Sequence, residues 1–260
     1  MLQPSDETLH SLAVRMLADY DAGNPGTVFG ESVRFELIEA WRLQSAVTRL
    51  REARGEQVVG YKVGCVSPGN QKAMGVSQPV WGRLWNTEQY QDGVVLSKAS
   101  YNNIAIEAEF GVTLARPVTP NMTPKEVAAS VDALYPLLEL HDLVLRGDAP
   151  HGHELVANNC INCGVVRGAP IKDLHASRDT DLKLVYDNDV VDEWAVLNWP
   201  GDILAAVAWL AGDLATQGLE LNAGALVLTG AWGPPIPVAT HTHVEVTSSS
   251  FGNVAATFSQ

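Results

Sequence analysis

Ile104-Ala-Ile-Glu-Ala-Glu-Phe-Gly-Val-Thr-Leu114 is an apolar run carrying two carboxylates, and the fold turns on how it is read. In a β-strand successive side chains alternate, so Glu107 and Glu109 point to one face while Ile106, Ala108 and Phe110 point to the other. Two like charges about 7 Å apart on a largely buried wall are unfavourable unless neutralised, and a hard cation does this most simply. A third carboxylate, Glu139, lies in the apolar run Tyr135-Pro-Leu-Leu-Glu-Leu140. Three inward carboxylates suit Mg²⁺ or Mn²⁺, with positions left open for a substrate. The same pattern fits a solvated strand face, or acids paired with Arg and Lys, which is the commoner fate of Glu in strands.

The surrounding 260 residues are 46% hydrophobic, enough for a substantial core. Neither a repeat nor a clean linker divides them. The expectation is one domain over 1–260, with a mainly helical part at 1–56 and a β-rich part at 57–260. Thirty acidic against seventeen basic residues give a net charge of −13, which opposes binding to nucleic acid or an anionic membrane. The N-terminus lacks the basic and apolar blocks of a signal peptide, and no apolar run reaches the length of a membrane span, so a cytoplasmic protein is expected. Three cysteines fit a reducing compartment. Cys160 and Cys163 form a C-x-x-C that lacks a second pair, so buried thiols are expected rather than a zinc or redox site.

Outward from the central run, Ser5 caps a helix with Leu9, Leu12, Ala13, Met16, Leu17 and Tyr20 at helical spacing, ending at Gly23-Asn-Pro-Gly26. A second helix is expected over Val33 to Arg54. Val58-Val-Gly-Tyr-Lys-Val-Gly64 reads as a strand with one lysine among apolar residues. Lys62 fits either a substrate-carboxylate or proton-transfer role, or an edge-strand lysine that discourages aggregation. Ser67 to Leu84 reads as a long loop with a helical piece near Gln71–Gly75. Thr123-Pro-Lys-Glu126 is a capping box expected to open a helix through Val127, Val131 and Leu134 into Glu139. His141, Asp142, His151 and His153 fall in a stretch read as polar loop, where paired histidines are more often solvated than ligating; His241 and His243 form another such weak pair. Leu182–Val191 reads as a hairpin turning at Asp187-Asn188. Pro200-Gly-Asp202 caps a helix stopped by Gly218, and three strands follow in 225–258.

Six motifs then stand in one order and spacing: Gly60-Tyr-Lys-Val-Gly64, Met74-Gly-Val-x-Gln-Pro-x-x-Gly82, Ile106-Glu-Ala-Glu109, Leu138-Glu-Leu-x-Asp142, Leu228-Thr-Gly230 and Gly252-x-Val-Ala-Ala-Thr-Phe258. Over nearly its whole length the chain resembles the 2-hydroxypentadienoate (2-keto-4-pentenoate) hydratase and 4-oxalocrotonate decarboxylase branch of the fumarylacetoacetate hydrolase superfamily. The resemblance implies an α+β fold, a mixed β-roll with a helical N-terminal cover. It implies Mg²⁺ or Mn²⁺ on Glu107, Glu109 and Glu139, catalytic roles for Lys62 and Asp142, and substrate contacts from Val80, Asn158, Ile161 and Thr229. The implied partners are a small 2-oxo acid or its dienol, further copies of the chain, and a related hydratase or decarboxylase.

The departures are as informative as the matches. Where hydratases of this branch carry an Asp after Gln-Pro, this chain has Val80, as the decarboxylases tend to. The family's Ala-Asp-Asn-Ala-Ser aligns with Ala157-Asn-Asn-Cys-Ile161, so an acid becomes Asn158 and a hydroxyl becomes Ile161. A Gly-Asp near the C-terminus is replaced by His241-Thr242. The reading that results is a metal-dependent lyase of hydratase type. Its alternatives are a decarboxylase, an acylpyruvate hydrolase or tautomerase, and a noncatalytic partner subunit.

Overall fold

A computed structural model describes residues 4–31 and 33–260. Helix α1 (Asp6–Asp21) starts at Ser5, whose hydroxyl accepts from the Thr8 N–H, and buries Leu9, Ala13 and Met16. After a single turn, α2 (Thr27–Gly30), comes α3 (Leu37–Ala53). It begins four residues later than the sequence suggested, because Glu36 and Glu39 form a reciprocal capping box that sets the first turn at Leu37. Trp41 of α3 stacks on Trp81 with centroids 4.4 Å apart, and Gln44 donates to the Trp81 and Val156 carbonyls, which docks the helical cover onto the strands.

Thirteen strands follow among the described residues. They are β1 (Val58–Gly64), β2 (Val80–Trp85), β3 (Gln89–Gln91), β4 (Val94–Ser97), β5 (Ile104–Leu114), β6 (Val131–Asp142), β7 (Asn162–Arg167), β8 (Arg178–Tyr186), β9 (Asp189–Trp199), β10 (Leu226–Leu228), β11 (Ile236–Pro237), β12 (His243–Ser248) and β13 (Gly252–Ser259). The larger sheet runs β2-β1-β10-β5-β6-β7-β3, with β11 also paired to β5; the smaller runs β4-β13-β12-β8-β9. Four helices complete the chain: α4 (Pro68–Met74), α5 (Pro124–Ala128), α6 (Gly152–Ala157) and α7 (Gly201–Thr216). The fold is the expected α+β β-roll.

Two sequence expectations fail on one cause. The capping box at Thr123 and Glu126 forms, but its helix ends at Ala128, and Val131 and Leu134 belong to β6. The segment Val80–Trp85, read as loop, is a strand buried at every position. Strands covered on both faces lose the polar alternation that marks a half-exposed strand, so short stretches of them mimic a helix or a loop. By contrast, the hairpin turns at Asp187 and Asn188 as read, with φ of 47° and 81°, the left-handed values a two-residue type I′ turn demands. Helix α7 gives way to Gly218 at φ 72°.

One apolar core joins Leu9 of α1 to Phe258 of β13 and takes in Ile106, Ala108, Phe110 and Val112 of β5. On the opposite face of the larger sheet Leu84, Leu137, Val165, Leu226 and Leu228 form a second, smaller cluster. Glu107 and Glu109 share that second face, by strand parity.

Candidate active site

The register of the larger sheet assembles the charged groups. Glu107 of β5 lies directly opposite Glu139 of β6, and Ala105 lies opposite His141, so Glu139 and His141 stand two apart on one face. On the other side of β5, Gly111 pairs with Leu228 of β10 and Leu228 with Lys62 of β1, which brings the lysine onto the same face. Lys62 Nζ is 3.3 Å from Glu139 Oε1. His141 Nε2 lies 2.9 Å from Glu107 Oε2 and 3.4 Å from Glu139 Oε2. One ligand-capable atom from each of Glu107, Glu139 and His141 falls within 4.8 Å of the other two. Asn162 Nδ2 donates to Glu139 Oε1 at 2.8 Å, and the Gly230 N–H reaches Glu109 Oε2 at 3.3 Å.

These groups are almost entirely withdrawn from water, with Glu109 and Glu139 at 0% exposure. Burial, then the neighbouring Glu139 and Glu107, pushes the Glu109 carboxyl well above the carboxylate range. Burial would raise Glu139 too, but Lys62 and His141 beside it bring it down to about 2. Burial opposes charge on His141, yet Glu139 and Glu107 raise it to about 9; against the same burial they also raise Lys62, which stays an ammonium.

Glu109 Oε1, Glu139 Oε2 and His141 Nδ1 are buried with no hydrogen-bond partner among the described residues. Unsatisfied carboxylate oxygens in a buried cluster cost free energy unless a ligand takes them. Oxygen donors of this number, with one imidazole, fit a divalent cation. A cavity of about 110 Å³ opens over the cluster, its floor Lys62, Glu107 and His141 and its walls mainly Met74, Leu155, Ile161 and Pro234.

The other sequence-derived site residues divide. Ile161 lines this cavity. It closes a run, Asn159-Cys160-Ile161, held at φ of 53°, 53° and 54°, unusual for non-glycine residues and most of all for a β-branched one. Asn159 pins this run to β2, accepting from the Arg83 N–H at 2.7 Å and donating to its carbonyl at 2.8 Å. Val80 is buried beside Lys62, both flanking Gly64. Thr229 donates its hydroxyl to the Phe110 carbonyl, fastening β10 to β5.

Asn158 and Asp142 do not face the cluster. Asn158 donates to the Glu154 carbonyl and lines a separate cavity of about 70 Å³ with Met16, Tyr20 and Arg51. Asp142 is one residue out of phase with Glu139 and His141, and its carboxylate accepts from the Asn102 N–H and Nδ2 and the Asn103 N–H. It orders the turn before β5.

His141 is the residue the sequence reading passed over, and the missed signal was parity, since β6 runs on through Asp142. The remaining histidines of the pairs lie elsewhere: His151 at Glu154, His153 at the Phe35 carbonyl and His241 at Asp187. The three thiols are free. Burial pushes the Cys160 thiol to about 12, which removes it as a nucleophile near neutral pH.

The chain is similar to known proteins in sequence and in fold. The fumarylacetoacetate (FAA) hydrolase C-terminal family matches residues 83–259. A 2-keto-4-pentenoate hydratase of Paraburkholderia phymatum is 34% identical over 233 residues, covering 85% of this chain and 86% of that one. A 4-oxalocrotonate decarboxylase of a Pseudomonas species is 32% identical over 196 residues, 74% of this chain and 75% of that one. The solved 4-oxalocrotonate decarboxylase of Pseudomonas putida G7, complexed with magnesium and adipate, superposes with a TM-score of 0.86 at 26% identity, covering 98% and 99% of the two chains.

Proposed function

Because the chain belongs to the fumarylacetoacetate hydrolase family, we propose that it is a divalent-metal-dependent lyase of 2-keto-4-pentenoate hydratase type, acting on a small 2-oxo acid or its dienol. The observation that carries the reading is the convergence of Lys62 and Glu107 at the floor of one cavity with Glu139 and Glu109 packed against them, and with carboxylate oxygens of Glu109 and Glu139 left unpartnered. The three carboxylates would hold Mg²⁺ or Mn²⁺. When bound, the cation supplies Lewis acidity to the 2-oxo and carboxylate oxygens of the substrate.

The chain's own residues do the rest. Lys62, held as an ammonium by Glu139 and Glu107, is a fixed positive charge and hydrogen-bond donor for the oxygen that gains charge when a proton leaves the carbon beside the carbonyl. Asn162 orients Glu139 from behind. Met74, Leu155, Ile161 and Pro234 exclude water from the substrate tail and offer it no second cation. The cavity therefore suits a monocarboxylate with a short apolar tail.

A second reading, decarboxylation, is favoured by Val80. A valine beside Lys62 cannot handle the proton of an attacking water, whereas loss of carbon dioxide needs chiefly an electron sink. Cytoplasmic location and self-association are part of the proposal; the described residues contain no helix long and apolar enough to cross a membrane. Val95 in β4 and Val190 and Val196 in β9 expose apolar surface on the two edge strands of the smaller sheet, as self-association would use.

The test is deuterium exchange at the carbon beside the carbonyl of 2-oxopentanoate, followed by NMR, with and without Mg²⁺ or Mn²⁺. Metal-dependent exchange lost in Glu109→Gln supports the reading, and its absence with metal bound refutes it. Turnover of 2-hydroxypentadienoate against 4-oxalocrotonate then separates hydratase from decarboxylase.

A further inference from the structure

We infer that His141 is a fourth protein ligand of the metal, through Nε2, and that it tilts the site toward Mn²⁺ over Mg²⁺; the inference rests on the metal site proposed above. Three observations carry it. His141 sits on the metal-facing side of β6, two residues from Glu139 and across from Ala105, whose small side chain leaves room for the ring. Its Nε2 lies 2.9 Å from Glu107 Oε2 and 3.4 Å from Glu139 Oε2. Adjacent ligands of an octahedral ion with bonds of about 2.1 Å stand roughly 3 Å apart, so these two separations are those of neighbouring ligands on one cation, and one ligand-capable atom of each residue lies within 4.8 Å of the others. Finally, the side chain is 2% exposed and Nδ1 has no partner among the described residues, so no competing contact holds the ring elsewhere.

The chemical consequence follows from ligand type. Carboxylate and water suit Mg²⁺ and Mn²⁺ alike, whereas an imidazole nitrogen adds affinity for Mn²⁺, the softer transition-metal ion, and little for the hard, oxygen-preferring Mg²⁺. The alternative is that the ring stands permanently as a cation opposite Glu107 and Glu139. That arrangement opposes metal binding, so the two assignments predict opposite signs when the ring is removed.

The decisive measurement needs no variant. The full-length protein, loaded with Mn²⁺, is examined by electron spin echo envelope modulation with natural-abundance and ¹⁵N-histidine-labelled chain. A directly bound imidazole nitrogen gives a ¹⁴N modulation replaced by the ¹⁵N pattern on labelling. Mn²⁺ bound without nitrogen modulation overturns the inference while leaving the three-carboxylate site standing; failure to bind Mn²⁺ or Mg²⁺ at all overturns the site itself. Calorimetric titration of His141→Leu with each metal gives the selectivity. The expected result is a Mn²⁺ affinity lower by about tenfold or more and a smaller change for Mg²⁺. Equal losses for both metals, or tighter binding of either, overturn it.

Discussion

Replacing Lys62 with methionine keeps the length of the side chain and removes the ammonium that faces Glu139 at 3.3 Å. The two side chains are 4% and 0% exposed, so water does not replace the lost partner. Removing one member of such a buried pair costs about 3–5 kcal/mol, because Glu139 loses its main compensating charge and keeps only His141 and the Asn162 amide beside it. In a chain of this size each kcal/mol moves the unfolding midpoint by about 2–4 °C, so metal-free Lys62→Met should melt roughly 6–20 °C below the wild type. The deficit is largest at neutral pH. The ammonium is the largest influence holding Glu139 down, and without it the native carboxyl titrates higher; the stability that its low value gives the wild type, present above the unfolded carboxylate range and lost as pH falls through about 2, is correspondingly reduced. A divalent cation at a hundred times its Kd should return about 2.7 kcal/mol. The assay is thermal unfolding by circular dichroism at pH 5 and pH 8, with chelator or with Mg²⁺. A variant as stable as the wild type at pH 8 in chelator would refute the claim that Lys62 neutralises the carboxylate cluster.

Three further outcomes are expected. In the metal-free protein His141 titrates at about 9 rather than at its ordinary 6.5, so between those values the native state binds more protons than the unfolded one. Its contribution to stability is full below pH 6.5 and lost as pH rises toward 9, and urea titrations of wild type and His141→Leu should converge across that window. Asp142→Ala strips three hydrogen bonds from Asn102 and Asn103 and should cost about 1–3 kcal/mol while leaving metal affinity unchanged; a selective loss of metal binding would contradict a purely ordering role. Gly82→Ala would set a Cβ 2.5 Å from the Asn159 carbonyl oxygen. The resulting overpacking should cost about 1–3 kcal/mol and push the Asn159–Ile161 run into the cavity, raising KM in steady-state kinetics.

What was legible in the sequence follows from where physical chemistry leaves a local mark. Alternation within Ile104–Leu114 separates Glu107 and Glu109 from Ile106 and Phe110, and the structure keeps that division. Asp187-Asn188 marks its turn because few residues accept positive φ. The distance between Lys62 and Glu139 leaves no local mark, since it depends on β10 inserting between β1 and β5; the family motifs supplied what pattern could not. His141 stayed hidden because the strand ends inside a polar stretch, where the period-2 signal fades. Asp142 and Asn158 were carried over from motif position, and motif position does not say which way a side chain points. Asp142 lies on the wrong side of its strand, and Asn158 bonds back into the turn before it.

Strand β10 is only Leu226–Leu228, yet it alone joins β1 to β5. Its parallel pairing with β1 ties Lys62 to a segment more than 160 positions later in the chain, and β4 similarly waits for β13. Contacts of such separation must pay for loop closure before they return any stabilisation. During synthesis the lysine and the acids thus leave the ribosome long before the strand that unites them, and a nascent chain halted short of Leu226 would hold every charged residue of the site with no site. Folding of this protein should therefore be slow and post-translational at its active centre, with the helical cover the first part able to form.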